Sequence, residues 1–154
     1  MPKLVSAACV ILLLAALAQA ASIQVTEIKA SGSGGEPKVD SRLSSIAKQL
    51  AQRFRYSRYD YVSSRSSSVN TGGTATWRLA TGDNLDITLN SVEGSGNNTR
   101  YSLTVQVYSV GRDGRRVSFV NTTVKAPKGE VWLLGIESKS RELGYTPILA
   151  IKAQ

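Results

Sequence analysis

The stretch YSLTVQVYSVGRDGRRVSFVNTTV, residues 101–124, decides the fold class. Its first half alternates between apolar and polar side chains, which is typical of a strand with one buried face. The residues on the apolar side are Tyr101, Leu103, Val105 and Val107. Asp113-Gly114 is a strong hairpin signal, and a second β-branched run follows it. The stretch therefore predicts two antiparallel strands joined by a tight turn.

The strand pattern continues on both sides of this hairpin. Upstream, TATWRLA (74–80) and NLDITLNSV (84–92) alternate in the same way around a short turn. Downstream, the unbroken apolar run EVWLLGI (130–136) predicts a strand that is buried on both faces. TPILAIKA (146–153) closes the chain, and we expect Pro147 at the start of its strand or on an edge.

One segment has the period of a helix. SIQVTEIKA (22–30) predicts a first strand, and SGSGGEP (31–37) a flexible connection. Beyond Asp40 the apolar residues recur every three or four positions, which predicts an amphipathic helix over about 41–55, capped by Asp40 or Ser41. These apolar residues are Leu43, Ile46, Ala47, Leu50 and Phe54. Such a narrow stripe favours a helix that lies on a sheet.

Together these elements predict a mainly β (α+β) protein. We expect a small antiparallel β-sandwich or an open barrel, with the amphipathic helix over one open face or end. The sequence has no long internal repeat and no series of parallel crossovers. It therefore predicts one β-rich domain.

The first residues have the layout of a targeting segment. MPKLVSAACVILLLAALAQA (1–20) has a positive charge at Lys3, an apolar run over 4–17, and small residues around Ala20. This layout predicts a secretory signal peptide cleaved after Ala20. A membrane anchor is the alternative, but the run is shorter than the roughly 20 apolar residues that a spanning helix needs. We therefore expect export to a secreted or periplasmic location, with 21–154 as the mature domain.

The composition restricts the available chemistry. The sequence has no histidine, and its one cysteine, Cys9, belongs to the predicted signal peptide. Catalysis by histidine or cysteine, and nearly all zinc and haem sites, are thereby excluded for the mature chain, and we expect neither a cofactor nor a metal. The formal net charge of +8 favours adhesion to a polyanion, although a surplus that serves solubility is the alternative.

Two patterns leave a catalytic alternative open. Ser45 and Lys48 match the S-x-x-K nucleophile motif, but its companion elements S-D-N and K-T-G are missing. Asp83 and Asp86 flank a hairpin and are candidates for a weak calcium site or for glycoside hydrolysis with a distant partner. We expect that the protein is not an enzyme, with a small Ser/Lys-dependent or carboxylate-dependent hydrolase as the alternative.

Two arginine clusters define the candidate binding surface. One lies in QRFRYSRYDYVSSRSSS (52–68) and the other at the hairpin tip GRDG (111–114). The candidate residues are Arg55, Tyr56, Arg58, Arg65, Arg112, Arg115 and Arg116. Strand alternation and a helix end are one interpretation of the first cluster, because Tyr59 and Tyr61 share a face. The other is a basic patch that holds an anion, if the fold brings the two clusters together.

One local pattern has a counterpart in a known family. TTVKAPKGEVWLLGI (122–136), followed by PILAI (147–151), resembles the closing hairpin of bacterial outer-membrane secretin domains, in which a T-T-V strand leads through a D-G-x turn into an apolar strand ending in Gly-Gly. Gly129 and Gly135 match, whereas Lys128 and Ile136 replace an acidic residue and the second glycine. The long amphipathic strands of a secretin pore are absent. The resemblance implies an envelope β-domain near a secretion system, and not a secretin.

These observations favour a protein that acts by binding. We expect an exported, non-enzymatic domain of the cell envelope that binds an envelope protein or holds an anionic polymer, with strand-edge pairing as a route to a protein partner. Nucleic acid is a further polyanion that the charge allows but does not favour. A structural subunit of an envelope secretion or surface assembly is the remaining alternative.

Overall fold

The structure, a computed structural model, describes residues 19–154. The predicted signal peptide lies outside this range except for Gln19 and Ala20. The first strand begins at Ala20, and the carbonyl of Gln19 accepts a hydrogen bond from the amide of Thr71 at 2.8 Å. Strand β1 thus includes Ala20, the last residue of the predicted signal peptide, and cleavage after Ala20 stays a prediction.

The described residues form two sheets, and short helices connect some of the strands within each sheet. The strands are β1 (Ala20–Ser31), β2 (Lys38–Val39), β3 (Arg58–Asn70), β4 (Thr74–Arg78), β5 (Asn84–Glu93), β6 (Arg100–Val110), β7 (Arg116–Pro127), β8 (Val131–Gly135) and β9 (Thr146–Ala153). Sheet A has the order β2-β3-β1-β9-β8, and sheet B has the order β4-β5-β6-β7. Neighbouring strands are antiparallel, except that the two residues of β2 run parallel to β3.

The helical elements lie in the connections. A 3-10 helix, Ser41–Ile46, continues into α1 (Ala47–Arg53). Single-turn 3-10 helices span Gly96–Asn98 and Glu137–Lys139, and the latter leads into α2 (Ser140–Leu143). The predicted helix over 41–55 is thus present, but it begins as a 3-10 helix and ends at Arg53.

The main core lies between the two sheets. Each predicted alternating strand turns its apolar side inward, so Leu85, Ile87, Leu103 and Val105 are all 0% exposed. From sheet A they meet side chains of β1, β3 and β9, such as Ile23. Fully burying an aliphatic side chain of this size stabilises a fold by about 1.5–3 kcal/mol. The prediction of an antiparallel, mainly β protein is confirmed. Of the two predicted arrangements, a sandwich and an open barrel, the structure has the two packed sheets of a sandwich.

A second core lies on the other side of sheet A. Leu43, Ile46 and Leu50 pack here against Ile28 and Ile148, so the predicted helix stripe covers an apolar part of the sheet. Its N-cap is Asp40, whose carboxylate accepts a hydrogen bond from the amide of Arg42 at 3.0 Å. The helix therefore lies on the outer face of sheet A, as its narrow stripe indicates.

Strand β3 contains an irregularity that changes which side chains face the core. Ile28 pairs with Tyr61, but the preceding residue Glu27 pairs with Ser63, so Val62 is an extra residue. Because strand side chains alternate, one extra residue moves every later side chain to the opposite face. Arg65 consequently faces Glu27, at the rim of the core between the sheets.

The last two predicted strands occupy one side of sheet A. Strand β9 lies inside the sheet, between β1 and β8, and Pro147 is its second residue, as expected for a proline at a strand start. Strand β8 is at the edge, yet its two faces reach both cores, because Leu133 packs under the helix and Trp132 packs between the sheets. Only Leu133 of this strand is buried and the other residues are half-buried, so the predicted burial on both faces is incomplete at this edge.

Candidate functional site

The hairpin between β6 and β7 carries three of the predicted arginines at its exposed end. Its turn is closed by a hydrogen bond from the Gly111 amide to the Arg115 carbonyl at 2.8 Å, and Gly114 adopts φ of +78°. Asp113 lies 3.5 Å from Arg115 in an exposed ion pair. Arg112 and Arg116 take part in none of the ion pairs between described residues. Their charges are therefore available to a ligand.

Tyr108 connects the hairpin tip to the outer face of sheet B. The guanidinium of Arg116 lies over its ring, 4.4 Å from the centroid, and its hydroxyl donates to Asp86 at 3.3 Å. Only 7% of Tyr108 is exposed although it faces away from the core, because these neighbours cover it. A cation over a tyrosine face contributes about 0.5–2 kcal/mol, depending on its exposure. Tyr108 thus fixes the position of Arg116.

Arg78 extends the charge across the sheet. The register places Arg78 opposite Asn84, Asn84 opposite Tyr108, and Tyr108 opposite Ser118, so the four form one row on the outer face. With strands roughly 4.8 Å apart, this row is about 14 Å long. Within the described residues, Arg78 also lies outside every ion pair.

We define the arginine face as Tyr108 together with the arginines of this row and of the hairpin tip. Its members are Arg78, Tyr108, Arg112, Arg115 and Arg116. The acidic residues in contact with it are Asp86 and Asp113, so four guanidinium groups face two carboxylates. The sequence prediction omitted Arg78 and Tyr108. Strand alternation places both outward, since their neighbours Trp77 and Val107 point into the core, but only the strand register brings them together.

Arg65, from the first predicted cluster, reaches the border of this face. Its guanidinium donates to the main-chain carbonyl of Arg78 at 2.5 Å and to the carboxylate of Glu27 at 2.8 Å. Glu27 is buried and neutralises it. Arg65 is therefore next to the arginine face, but its contacts tie the two sheets together.

The other members of the first cluster have local partners. Arg58 pairs with Asp60 at 3.0 Å, and the Tyr56 hydroxyl is hydrogen-bonded to the hydroxyl of Thr146 at 2.7 Å. Arg55 lines a shallow cavity of about 360 Å³ at the end of α1, beside Glu137. Within residues 19–154, no hydrogen bond or ion pair connects these three residues to the hairpin tip. A single patch of all seven predicted residues stays a prediction.

The residues of the catalytic alternatives lie in the helical segment 41–53 and around the β4–β5 turn. Ser45 belongs to the 3-10 helix and Lys48 to α1, both are exposed, and no hydrogen bond of the described residues joins them. Asp83 is buried at the β4–β5 turn, where it accepts from the Thr81 hydroxyl at 2.8 Å and pairs with Lys139 at 3.5 Å. Asp86, in contrast, belongs to the outer face of sheet B.

Across the described part of the chain, no three His, Cys, Asp or Glu side chains are grouped so that they could hold a metal ion. Among the helices of residues 19–154, none has the length and apolar character to cross a membrane.

Comparison with known proteins did not identify relatives. Neither the protein-family models, nor the curated proteins, nor the solved structures contain a match to this chain. The resemblance of residues 122–151 to a secretin hairpin therefore stays a prediction.

Proposed function

We propose that this protein is an exported, non-catalytic domain of the cell envelope that binds an anionic polymer through the arginine face. The observation that carries the proposal is the excess of guanidinium groups on one exposed surface, where Arg78, Arg112 and Arg116 have no ion-pair partner among the described residues. Guanidinium groups bind sulfate, phosphate and carboxylate oxygens through paired hydrogen bonds.

The outer face of sheet B supplies neutral partners beside these charges. Its hydroxyl groups form cross-strand pairs, Thr74 with Thr88 at 2.7 Å and Thr104 with Thr123 at 3.1 Å. Hydroxyl groups both donate and accept, so they can bind the polar backbone of a polymer that lies across the strands. Arginines at one end and hydroxyls along the face suit an extended acidic polysaccharide.

Chromatography on immobilised heparin tests this proposal. We expect salt-dependent retention of the purified protein, and much earlier elution when Arg112, Arg115 and Arg116 are all replaced by serine. The matched control replaces Lys38, Lys48 and Arg141 by serine, which removes the same charge from exposed positions elsewhere. Equal losses in both triple variants would mean that retention depends on net charge alone, and would remove the arginine face as the site.

A second candidate is assembly through the edge of sheet B. Strand β7 is the terminal strand of its sheet and is 12 residues long, and Val117 on it is 54% exposed. Long edge strands with free backbone groups can pair with a partner strand.

Pull-down from an envelope extract separates the two candidate functions. A protein partner retained at moderate salt and lost with Val117→Lys favours assembly, whereas an acidic polymer released by salt favours the first proposal.

A further inference from the structure

A groove lies on the side of the molecule opposite the arginine face. It runs between the 3-10 helix and the outer face of sheet A and has a volume of about 380 Å³. Small-molecule sites in proteins commonly have volumes of roughly 300–1,000 Å³. The groove exists because the helix covers only the apolar part of this face, around Ile28 and Ile148. Beyond that part the same strands present polar side chains.

Part of the floor of the groove, beside Val131 and Ala150, is an array of hydrogen-bonding groups. The side-chain amide of Gln24 donates to the Ser64 hydroxyl at 3.1 Å, and that hydroxyl is also hydrogen-bonded to Thr26 at 3.0 Å. The three groups are only partly buried. Because each hydroxyl has two lone pairs and one proton, and the amide has a second N–H, the array keeps free capacity for a ligand.

The wall formed by Arg42 is already neutralised. Its Nε and Nη2 atoms donate to the two carboxylate oxygens of Asp40, at 3.1 and 2.7 Å, and its guanidinium lies over the Tyr61 ring, 4.3 Å from the centroid. Such a two-point pair fixes both side chains. Arg42 therefore shapes the groove without supplying an uncompensated charge.

Lys152 supplies the uncompensated charge. It lies on β9 directly opposite Gln24 of β1, it lines the groove, and it is half-buried. No ion pair within residues 19–154 includes it. One cation beside an array of hydroxyl and amide groups matches a ligand with one negative charge and several hydroxyls.

We infer that this groove binds a carboxylate-bearing polyol, such as one hexuronic acid unit. The carboxylate interacts with the ammonium group of Lys152, and the ligand hydroxyls bind Gln24, Thr26 and Ser64. A phosphate dianion fits less well, since Arg42 is committed to Asp40 and Lys152 alone cannot balance two charges. The inference is independent of the proposed function, because it concerns other residues on the opposite face.

Titration of the isotope-labelled protein with glucuronate, followed by NMR, tests the inference. We expect saturable shifts of the backbone amides of Gln24, Ser64 and Lys152, and none with glucose, which has the same ring without the charge. Lys152→Gln should weaken glucuronate binding about five- to tenfold, since it removes one charge-assisted hydrogen bond in a half-exposed site. Lys48→Gln removes a charge from an exposed position on α1 and should leave binding unchanged.

Several outcomes of this titration would contradict the inference. Absence of saturable shifts, equal binding of glucose, or an unchanged affinity of Lys152→Gln would each overturn the inference. Tighter binding of inorganic phosphate than of glucuronate would overturn the carboxylate assignment. Unchanged amide spectra of the free variants confirm that they are folded. Because a single sugar unit tests the groove, the result does not depend on whether the arginine face binds a polymer.

Discussion

Glu27 on β1 and Arg65 on β3 form an ion pair of 2.8 Å at the rim of the core between the two sheets. The Glu27 side chain is only 8% exposed, and it also accepts hydrogen bonds from the Ser63 hydroxyl at 3.2 Å and from the Ala80 amide at 2.8 Å. One carboxylate thus ties two residues of sheet A to the β4–β5 turn of sheet B. This pair makes Arg65 a structural residue.

The first prediction concerns the loss of this arginine. Arg65→Met leaves the buried Glu27 carboxylate without its cation, so we expect the free energy of unfolding to fall by about 1–3 kcal/mol. The loss is smaller than for a fully buried pair, because Arg65 itself is partly exposed. Urea denaturation measures the change. In the control, Arg58→Met removes the exposed pair with Asp60 and should cost less than about 1 kcal/mol. Equal losses would contradict the structural role of Arg65.

A second prediction concerns pH and the helix cap. The guanidinium of Arg42, through its side-chain hydrogen bonds, holds the pKa of Asp40 well below its usual range, and the amides of Arg42 and Tyr61 add to this effect. A lowered pKa in the folded state means that the ionised carboxylate stabilises the fold above about pH 4, the ordinary aspartate value. The stabilisation is lost as the pH falls through the lowered pKa.

Thermal unfolding of the wild type and Asp40→Asn at several pH values measures this effect. The wild type should have the higher Tm at neutral pH, and the difference should shrink steadily below about pH 4. The asparagine keeps a capping oxygen, so the remaining difference at low pH is small. A difference in Tm that does not change between neutral and acidic pH would exclude this role of the carboxylate.

A third prediction concerns the contact between Gly135 and Phe54. A Cβ atom on Gly135 would lie 2.8 Å from Cε1 of Phe54, so the ring occupies the space that a side chain on β8 would need. Gly135→Ala should therefore destabilise the protein by about 1–3 kcal/mol through overpacking. In a Phe54→Ala background the same substitution should cost much less, with a coupling of more than about 0.5 kcal/mol. Additive effects would show that the ring does not limit this position.

The sequence predicts the core well because its strands keep a strict period of two. Leu103 and Val107 are buried as expected, and the residues that fill the helix stripe, such as Leu50, also pack as expected. Each of these positions depends only on local periodicity. The same local information gave the hairpin turn at Asp113-Gly114.

The sites depend on information that is not local. The extra residue Val62 turns Arg65 toward Glu27, which is 38 residues away, and no turn or glycine signal in the sequence marks that position. Tyr108 is covered by side chains that only the strand register brings to it. The groove at Lys152 forms because the helix covers only part of the outer face of sheet A. Periodicity does not show how much of that face the helix covers. Hence the fold could be predicted from the sequence, whereas the grouping of polar residues could not.

The salt dependence of polymer binding tests the central claim most directly. For a labelled heparin oligosaccharide, we expect the logarithm of the association constant to fall linearly with the logarithm of the salt concentration, because bound cations are released from the polymer. The triple variant of Arg112, Arg115 and Arg116 should bind more weakly and with a shallower slope. The triple variant of Lys38, Lys48 and Arg141 should keep the wild-type slope. The same slope in both variants would contradict binding through the arginine face.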